Sequence, residues 1–344
     1  MYGAVHRLGI KKEEMIMKRL FRMAVITTVF VLGMAPVLFA AADYPTKPIT
    51  LVNPMAPGGT LDLQGRAFAA AAEKYLGQPV MVVNKVGATG MVGGSAVAQA
   101  PPDGYTLLVG SVNITNAVEW ENANGRKPPF TRHDFVPIGA FTMSPTLVIV
   151  PADSPYKNLA DFIADAKSKP GKLSYCSGGL YGMSHLPIEI FAKSTGLKFR
   201  HVPFTGGGPC LTAVIGKHVE FAFQYPPTTL PLVQGKKLKV LAVAGNKRLK
   251  AIPDVPTTKE LGIDAEYYGW VGIMAPKNTP APIVEKLREV TKKVAHDKAF
   301  VDPIEKPGDE VQYLSGEELA KWMDQESKII YAVDVELAKE APKR

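Results

Sequence analysis

Four times in this chain a short apolar run ends in a loop rich in glycine and hydroxyl side chains, then gives way to a helical pattern. The loops are residues 57–60, 87–90, 177–182 and 205–208. Before the first loop, residues 49–53 read as a strand. After it, Phe68, Ala71, Ala72, Tyr75 and Leu76 put an apolar face on a helix over 61–76, with Gly77 at its C′ position. Repeated strand-loop-helix units predict a mainly parallel sheet covered by helices. Ligands of such sheets sit beyond the carboxyl ends of the strands, where all four loops fall.

The same alternation continues along the chain. Strands are expected at 79–83 and 105–110, with a helix ending at Gln99 between them. Further on come helices at 159–168, 184–194 and 209–215, and strands at 172–176, 198–203, 219–224 and 238–244. Two extended runs, 135–150 and 265–276, cross between the two sets of units. Long helices follow at 281–296 and 316–338, the second opening on Ser315-Gly316-Glu317-Glu318, a capping-box spacing. Two crossings predict a discontinuous first domain (43–144 plus 265–344), a second domain (145–264) and a two-strand hinge. A chain of this length without its leader is also the size of two domains.

The leader is read from Met17-Lys18-Arg19-Leu20-Phe21-Arg22, an apolar run over 23–39, and Ala40-Ala41-Ala42. That is a secretory signal, cleaved near Ala42 and directing the chain to the periplasm, rather than a membrane anchor. The residues before Met17 fit no targeting pattern and carry Glu13 and Glu14, so Met17 is the expected start. Removing residues 1–42 takes away six Lys/Arg and two Asp/Glu, which lowers the net formal charge from +8 to +4. A surplus that small, without basic clusters, argues against nucleic acid. Cys176 and Cys210 are the only cysteines; outside the cytosol they could pair, and sequence leaves pairing open.

A cleft lined by bare loops and helix N-termini favours an anion. The first loop lacks the Lys of a phosphate-binding P-loop, and Gly87-Ala88-Thr89-Gly90 is not a dinucleotide fingerprint. No nucleophile elbow, zinc-protease helix or calcium loop is present, and the six histidines have no metal-ligand spacing. No cofactor, metal or catalytic residue is therefore expected. A hydrogen bond to a charged group contributes about 1.5–3 kcal/mol, and micromolar affinity needs about 8 kcal/mol net. Several backbone and hydroxyl donors around a carboxylate would suffice.

The candidate ligand-binding residues are Pro57, Gly58, Gly59, Thr60 and Asp62 on the first loop and helix, and Thr89 on the second loop. Ser111 and Asn113 stand just past a strand end. Ser177, Gly179, Tyr181, Ser184 and His185 belong to the third loop, Thr205, Gly206 and Gly207 to the fourth, and Gln224 ends a strand. Trp270, on the second crossing, is a candidate reporter of closure.

The ordered blocks "YPTKPITLVNPMAPGGTLD", "LGQPVMVVNKVGATGMVGGSAVAQAPPDGYTLLVGS", "VPFTGGGPCLTAVIGKHVEFAF" and "GWVGIMAPKNTPAPIVEKL" resemble the solute receptors of tripartite tricarboxylate transporters, the Bug family. The resemblance covers essentially the whole chain after the leader. It implies a type II periplasmic-binding-protein fold, α/β in class, closing around a small carboxylate and delivering it to a two-component membrane permease. It further implies that backbone amides at 57–60 reach the carboxylate and that Asp62 braces that loop. A monomer is expected.

Three departures bear on the ligand. The family's Gly-Gly-Gly-Thr-Asp stands here as Gly58-Gly59-Thr60-Leu61-Asp62. Its Tyr-Gly-Ser-Ser-Gly-x-Gly-Ser is replaced by a stretch containing Cys176, Leu180 and Tyr181, with Tyr181 a candidate aromatic wall. Members that bind amino acids place an Asp where this chain has Gln224, which cannot pair with an ammonium group. An aromatic acid or a medium-chain dicarboxylate is expected rather than an amino acid. A sensor that signals to a membrane kinase, or a periplasmic enzyme acting on an acid, are the alternative readings.

Overall fold

A computed structural model describes residues 44–306 and 308–340. The signal peptide and the start at Met17 lie outside the described residues. The chain divides into two compact units at Thr46/Lys47, and the fold below is that of the unit beginning at Lys47.

The first strand, β1 (Ile49–Asn53), leads into α1 (Thr60–Leu76), which ends on Gly77 in the left-handed conformation at φ 68°. Then come β2 (Val80–Asn84), α2 (Met91–Ala98), β3 (Thr106–Ser111) and α3 (Val112–Ala123). A 17-residue strand, β4 (Phe135–Pro151), carries the chain to α4 (Leu159–Ser168), β5 (Ser174–Ser177), α5 (Leu186–Thr195), β6 (Arg200–Pro203) and α6 (Gly207–Ile215). β7 (Phe221–Gln224), α7 (Pro226–Gln234) and β8 (Leu238–Ala244) follow. The chain returns on β9 (Tyr268–Pro276) and ends with α8 (Ala281–Ala295), α9 (Lys298–Glu305), β10 (Val311–Ser315) and α10 (Gly316–Glu340).

The strand order is β2-β1-β3-β9-β4-β7-β5-β6, with β8 and β10 also on β4. Within each wing the pairings β1–β2, β1–β3, β5–β6 and β5–β7 are parallel. The two crossing strands lie between the wings. Residues 135–145 of β4 pair antiparallel with β9, and residues 146–151 pair with β8. One strand therefore belongs to both parts of the sheet.

Alternation along β4 shows how it is buried. Val148 and Val150 pack with Phe162, Phe191 and Phe221 on one face, while Leu147 and Ile149 pack with Leu211, Val214 and Leu230 on the other. Successive strand residues point to opposite faces, so a run that is apolar throughout needs helices on both sides. The capping box at the last helix is formed: Ser315 N donates to Glu318 Oε2 at 2.8 Å, and Glu318 N donates to Ser315 Oγ at 3.3 Å.

Three carboxyls from the C-terminal segment are buried beside the crossing strands or α3. Asp309 accepts from Ser144 Oγ at 2.7 Å, and burial pushes its pKa up to about 7. Glu326 accepts from Trp270 Nε1 at 3.0 Å and Trp322 Nε1 at 3.3 Å, and burial again pushes it up to about 7. Asp334 has no hydrogen-bond partner among the described residues; burial, and then the Glu119 carboxylate, push it up to about 8. All three are raised above their unfolded values near 4, so the native state binds more protons than the unfolded chain in between. Their contribution is fully present below about pH 4 and is lost as pH rises through about 7–8. The melting temperature is therefore expected to fall between pH 5 and 8, and Glu326→Gln to flatten that fall. A melting temperature that rises over this window, or a slope unchanged by the substitution, would count against it.

Candidate functional site

The loops at the carboxyl ends of the parallel strands meet. Ala56 N donates to Thr205 O at 3.1 Å, Met183 N to Asn113 Oδ1 at 2.6 Å, and Thr89 Oγ1 to Leu180 O at 2.9 Å. The hydroxyls of Thr60 and Thr228 are 3.2 Å apart. Each contact joins the β1–β3 wing to the β5–β7 wing, so the two sides are closed on each other.

Glycine makes this closeness possible. A Cβ built on Gly59 would lie 3.3 Å from Gly207 N, and one on Gly208 only 2.7 Å from Pro57 O. At 208 a side chain would collide with the Pro57 carbonyl, and at 59 it would crowd the Gly207 backbone, so the approach needs glycine there. The bare loops therefore face each other, in addition to whatever they hold.

Between them lies a cavity of about 30 Å³. Of the residues expected from sequence, Gly59, Thr60, Asp62, Asn113, Ser184, Gly207 and Gln224 line it. Four helices begin here: Thr60 opens α1, Asn113 is second in α3, Gly207 opens α6, and Tyr225 precedes Pro226 at the start of α7. In α1, α3 and α6 the first peptide N–H groups have no helical partners, Asn113 N being held by Ser111 Oγ, whereas α7 opens on Pro226-Pro227, which have no N–H, and contributes the positive end of its helix. No Lys, Arg or His is among the lining residues. An anion here would be held by backbone and hydroxyl dipoles rather than by an ion pair.

Asp62 is the one charged lining residue, and its charge is spoken for. Its Oδ1 accepts from Asn53 Nδ2 at 3.1 Å, Asn84 Nδ2 at 3.0 Å and Arg66 Nη2 at 2.9 Å. Its Oδ2 accepts from Gly58 N at 3.1 Å and Arg66 Nε at 3.0 Å. Burial alone would raise its pKa, but the hydrogen bonds from Arg66, Asn84 and Gly58 outweigh it and hold the carboxyl below its ordinary value. This carboxylate fixes the turn at Gly58 from below.

Thr89, Gly179 and Thr205 line a second, outer cleft of about 310 Å³ that shares Met55 and Gly178 with the inner cavity. The remaining expected residues line neither space. Pro57 and Gly206 form the cross-loop contacts, Gly206 packing on Ala56, and Gly58 is the turn bound by Asp62. Ser111 Oγ accepts from Asn113 N at 3.3 Å and caps α3. Ser177 Oγ donates to Gly179 O at 2.8 Å and lies 2.7 Å from His201 Nε2. Tyr181 stacks on Trp120 with ring centroids 3.4 Å apart.

His185 Nδ1 accepts from Tyr181 N at 2.9 Å, and its ring stacks on His201 at 4.2 Å. Burial, and then the neighbouring His201, hold His185 well below the usual histidine range; burial brings His201 down to about 4. Neither adds positive charge at neutral pH. Trp270 is buried on β9 with its indole nitrogen on Glu326.

Cys176 and Cys210 form a disulfide, Cα–Cα 5.5 Å, joining the end of β5 to the first turn of α6. Gln224 Nε2 lies 3.2 Å from Cys210 Sγ, which turns the amide oxygen toward Gly207. Met55, Ala56, Leu61, Gly178, Met183 and Tyr225 also line the inner cavity and were not among the expected residues. Tyr225 directly follows the end of β7, so the strand-end rule that selected Gln224 would have reached it.

The sequence profile described as "Tripartite tricarboxylate transporter family receptor" matches residues 65–335. A protein of Cupriavidus necator, "UPF0065 protein in gbd 5'region", is 33% identical over 87% of this chain and 90% of its own length. Among solved structures, MatC from Rhodopseudomonas palustris with bound malate is 27% identical, with TM-score 0.78, over 85% of this chain and 100% of that one. An R. palustris protein with adipate is 28% identical, with TM-score 0.79, over 86% and 98%. Proteins of this family and fold are periplasmic solute-binding receptors, not enzymes.

Proposed function

We propose that this chain, which belongs to the tripartite tricarboxylate transporter receptor family, captures a small organic carboxylate in its inner cavity and delivers it to a membrane permease. The observation that carries the reading is the convergence of four helix N-termini and two glycine loops on a cavity without a cationic side chain. Such a site has donors for a carboxylate, and its one carboxylate, Asp62, is already committed to Arg66, Asn53, Asn84 and Gly58 N. Gln224, where a carboxylate would be needed to pair with an amino group, supports an aromatic or dicarboxylic acid over an amino acid. The relatives holding malate and adipate bind acids of this general kind.

Capture proceeds by closure of residues 43–144 plus 265–344 on residues 145–264. β4, which belongs to both parts of the sheet, and the return of the chain into β9 are the hinge. The functional residues are those lining the inner cavity together with the loop residues that support them. Thermal unfolding against a panel of mono-, di- and tricarboxylates, aromatic acids and amino acids tests this. An acid at a hundred times its dissociation constant stabilises by about 2.7 kcal/mol, a shift of several degrees. Tighter binding of an amino acid than of every other acid, or silence across the panel, would overturn the reading.

Closure has its own test. In Gly208→Ala the new methyl meets Pro57 O only when the loops are together. Overpacking costs about 1–3 kcal/mol, so the best acid should bind roughly 10- to 100-fold more weakly, while the unliganded protein unfolds within about 1 kcal/mol of the parent. Unchanged affinity by titration calorimetry would show that the contact plays no part in capture.

A further inference from the structure

The inner cavity has room for the charged end of an acid and little more. Its volume of about 30 Å³ accommodates about two water-sized groups, the number of oxygens in a carboxylate. The rest of any ligand has to lie elsewhere, and the outer cleft of about 310 Å³ continues from it past Met55 and Gly178.

That cleft carries apolar side chains among glycine and threonine loop residues. Val86 on one side and Leu180 on the other are 36% and 40% exposed, Met55, Pro203 and Phe204 add apolar surface, and the rest of the lining is Thr205 and the two loops that carry Thr89 and Gly179. No Lys, Arg or His lines it. The Thr89 hydroxyl is already engaged with Leu180 O. A second carboxylate placed here would rest against Met55, Val86, Leu180, Pro203 and Phe204 with only the backbone of the 87–90 and 177–182 loops and the Thr205 hydroxyl to donate to it, whereas an apolar tail would release water from Val86 and Leu180.

We propose that the outer cleft is a subsite for an uncharged apolar tail, so that the preferred ligand is a monocarboxylate with an aromatic or aliphatic body rather than a dicarboxylate. The inference rests on the carboxylate-receptor reading and selects within it. Head and tail are read by different surfaces: dipoles of the inner cavity take the carboxylate, and Val86 and Leu180 take the body.

Hexanoate and adipate make a matched pair, since they share a six-carbon chain and differ only in the second carboxylate. Titration calorimetry of the receptor with these two, with benzoate and cinnamate, and with malate is the test. Hexanoate or an aromatic monocarboxylate should bind at least tenfold more tightly than adipate and malate. Leu180→Lys, at an exposed position that leaves the fold intact, should shift the adipate-to-hexanoate affinity ratio at least tenfold toward adipate, and Val86→Lys should act in the same direction. Adipate or malate binding as well as the monocarboxylates to the unaltered receptor would overturn the proposal. A hexanoate preference untouched by both lysine variants would remove the outer cleft from it. Silence of all five acids would overturn the carboxylate reading itself, and the subsite with it.

Discussion

Asp62→Ala is expected to destabilise the protein by about 3–5 kcal/mol, because the substitution leaves several buried donors facing nothing. The residue is 5% exposed, and its carboxylate accepts from two asparagines, the Gly58 backbone and the Arg66 guanidinium. Asn53 is fully buried, so water cannot replace the lost acceptor there. The cost also has a pH signature. A carboxyl held below its unfolded value contributes stability above about pH 4, and that stability is lost as pH falls through the folded value. Parent and Asp62→Ala should therefore differ most near neutrality and converge in acid. Urea unfolding at pH 7 and pH 3 measures both. Since Gly58 N would lose its acceptor, the turn at 57–60 should loosen and carboxylate affinity fall as well. A loss under 1 kcal/mol at pH 7 would mean the network is dispensable.

The disulfide should matter nearly as much. Cys176 and Cys210 close a loop of 34 residues, for which the chain-entropy estimate is about 4 kcal/mol. In a chain of this size that corresponds to a drop of about 6 °C in melting temperature. The bond also anchors the parts of the site on the β5–β7 wing. It ties the start of the 177–182 loop to the helix that follows 205–208, and its sulfur holds the Gln224 amide. The double variant Cys176→Ala/Cys210→Ala and the reduced parent should show the same loss in unfolding experiments. If reduction leaves the melting temperature unchanged, the crosslink constrains nothing that the two loops do not already fix.

Much of the fold was legible because the chain punctuates itself. Glycine loops mark the strand ends, Gly77 ends α1, and Ser315 with Glu318 opens α10. The long extended runs read as crossings are β4 and β9. The helix expected from Ser184 begins two residues later, at Leu186, because the Ser184 and His185 side chains fasten the preceding loop. Other elements left no periodic trace. Every residue of α3 from Val112 to Glu119 is buried, so it has no polar face against which a period could show. α7 opens on Pro226-Pro227 and contains Pro231, a composition that reads as a break. Proline's fixed φ suits a first helical turn, and that is where the first two stand. The short α9 and β10 were missed as well.

The candidate site divides the same way. Its loops were legible from residue type, since a backbone that must be approached closely or take left-handed angles needs glycine. Which loop meets which was not. Gly59 opposite Gly207, Met183 donating to Asn113, and Cys176 within reach of Cys210 are distances between segments that lie 34 to about 150 residues apart. By itself the sequence determined the local states: strand, turn, helix start, and the bareness of four loops. Only the tertiary structure decided that these loops close on one another, that Tyr181 turns to Trp120, and that a wider cleft continues from the inner cavity past Met55 and Gly178. Local conformation follows from the sterics of neighbouring residues, whereas these contacts follow from how the sheet and its two crossing strands place distant loop ends against each other.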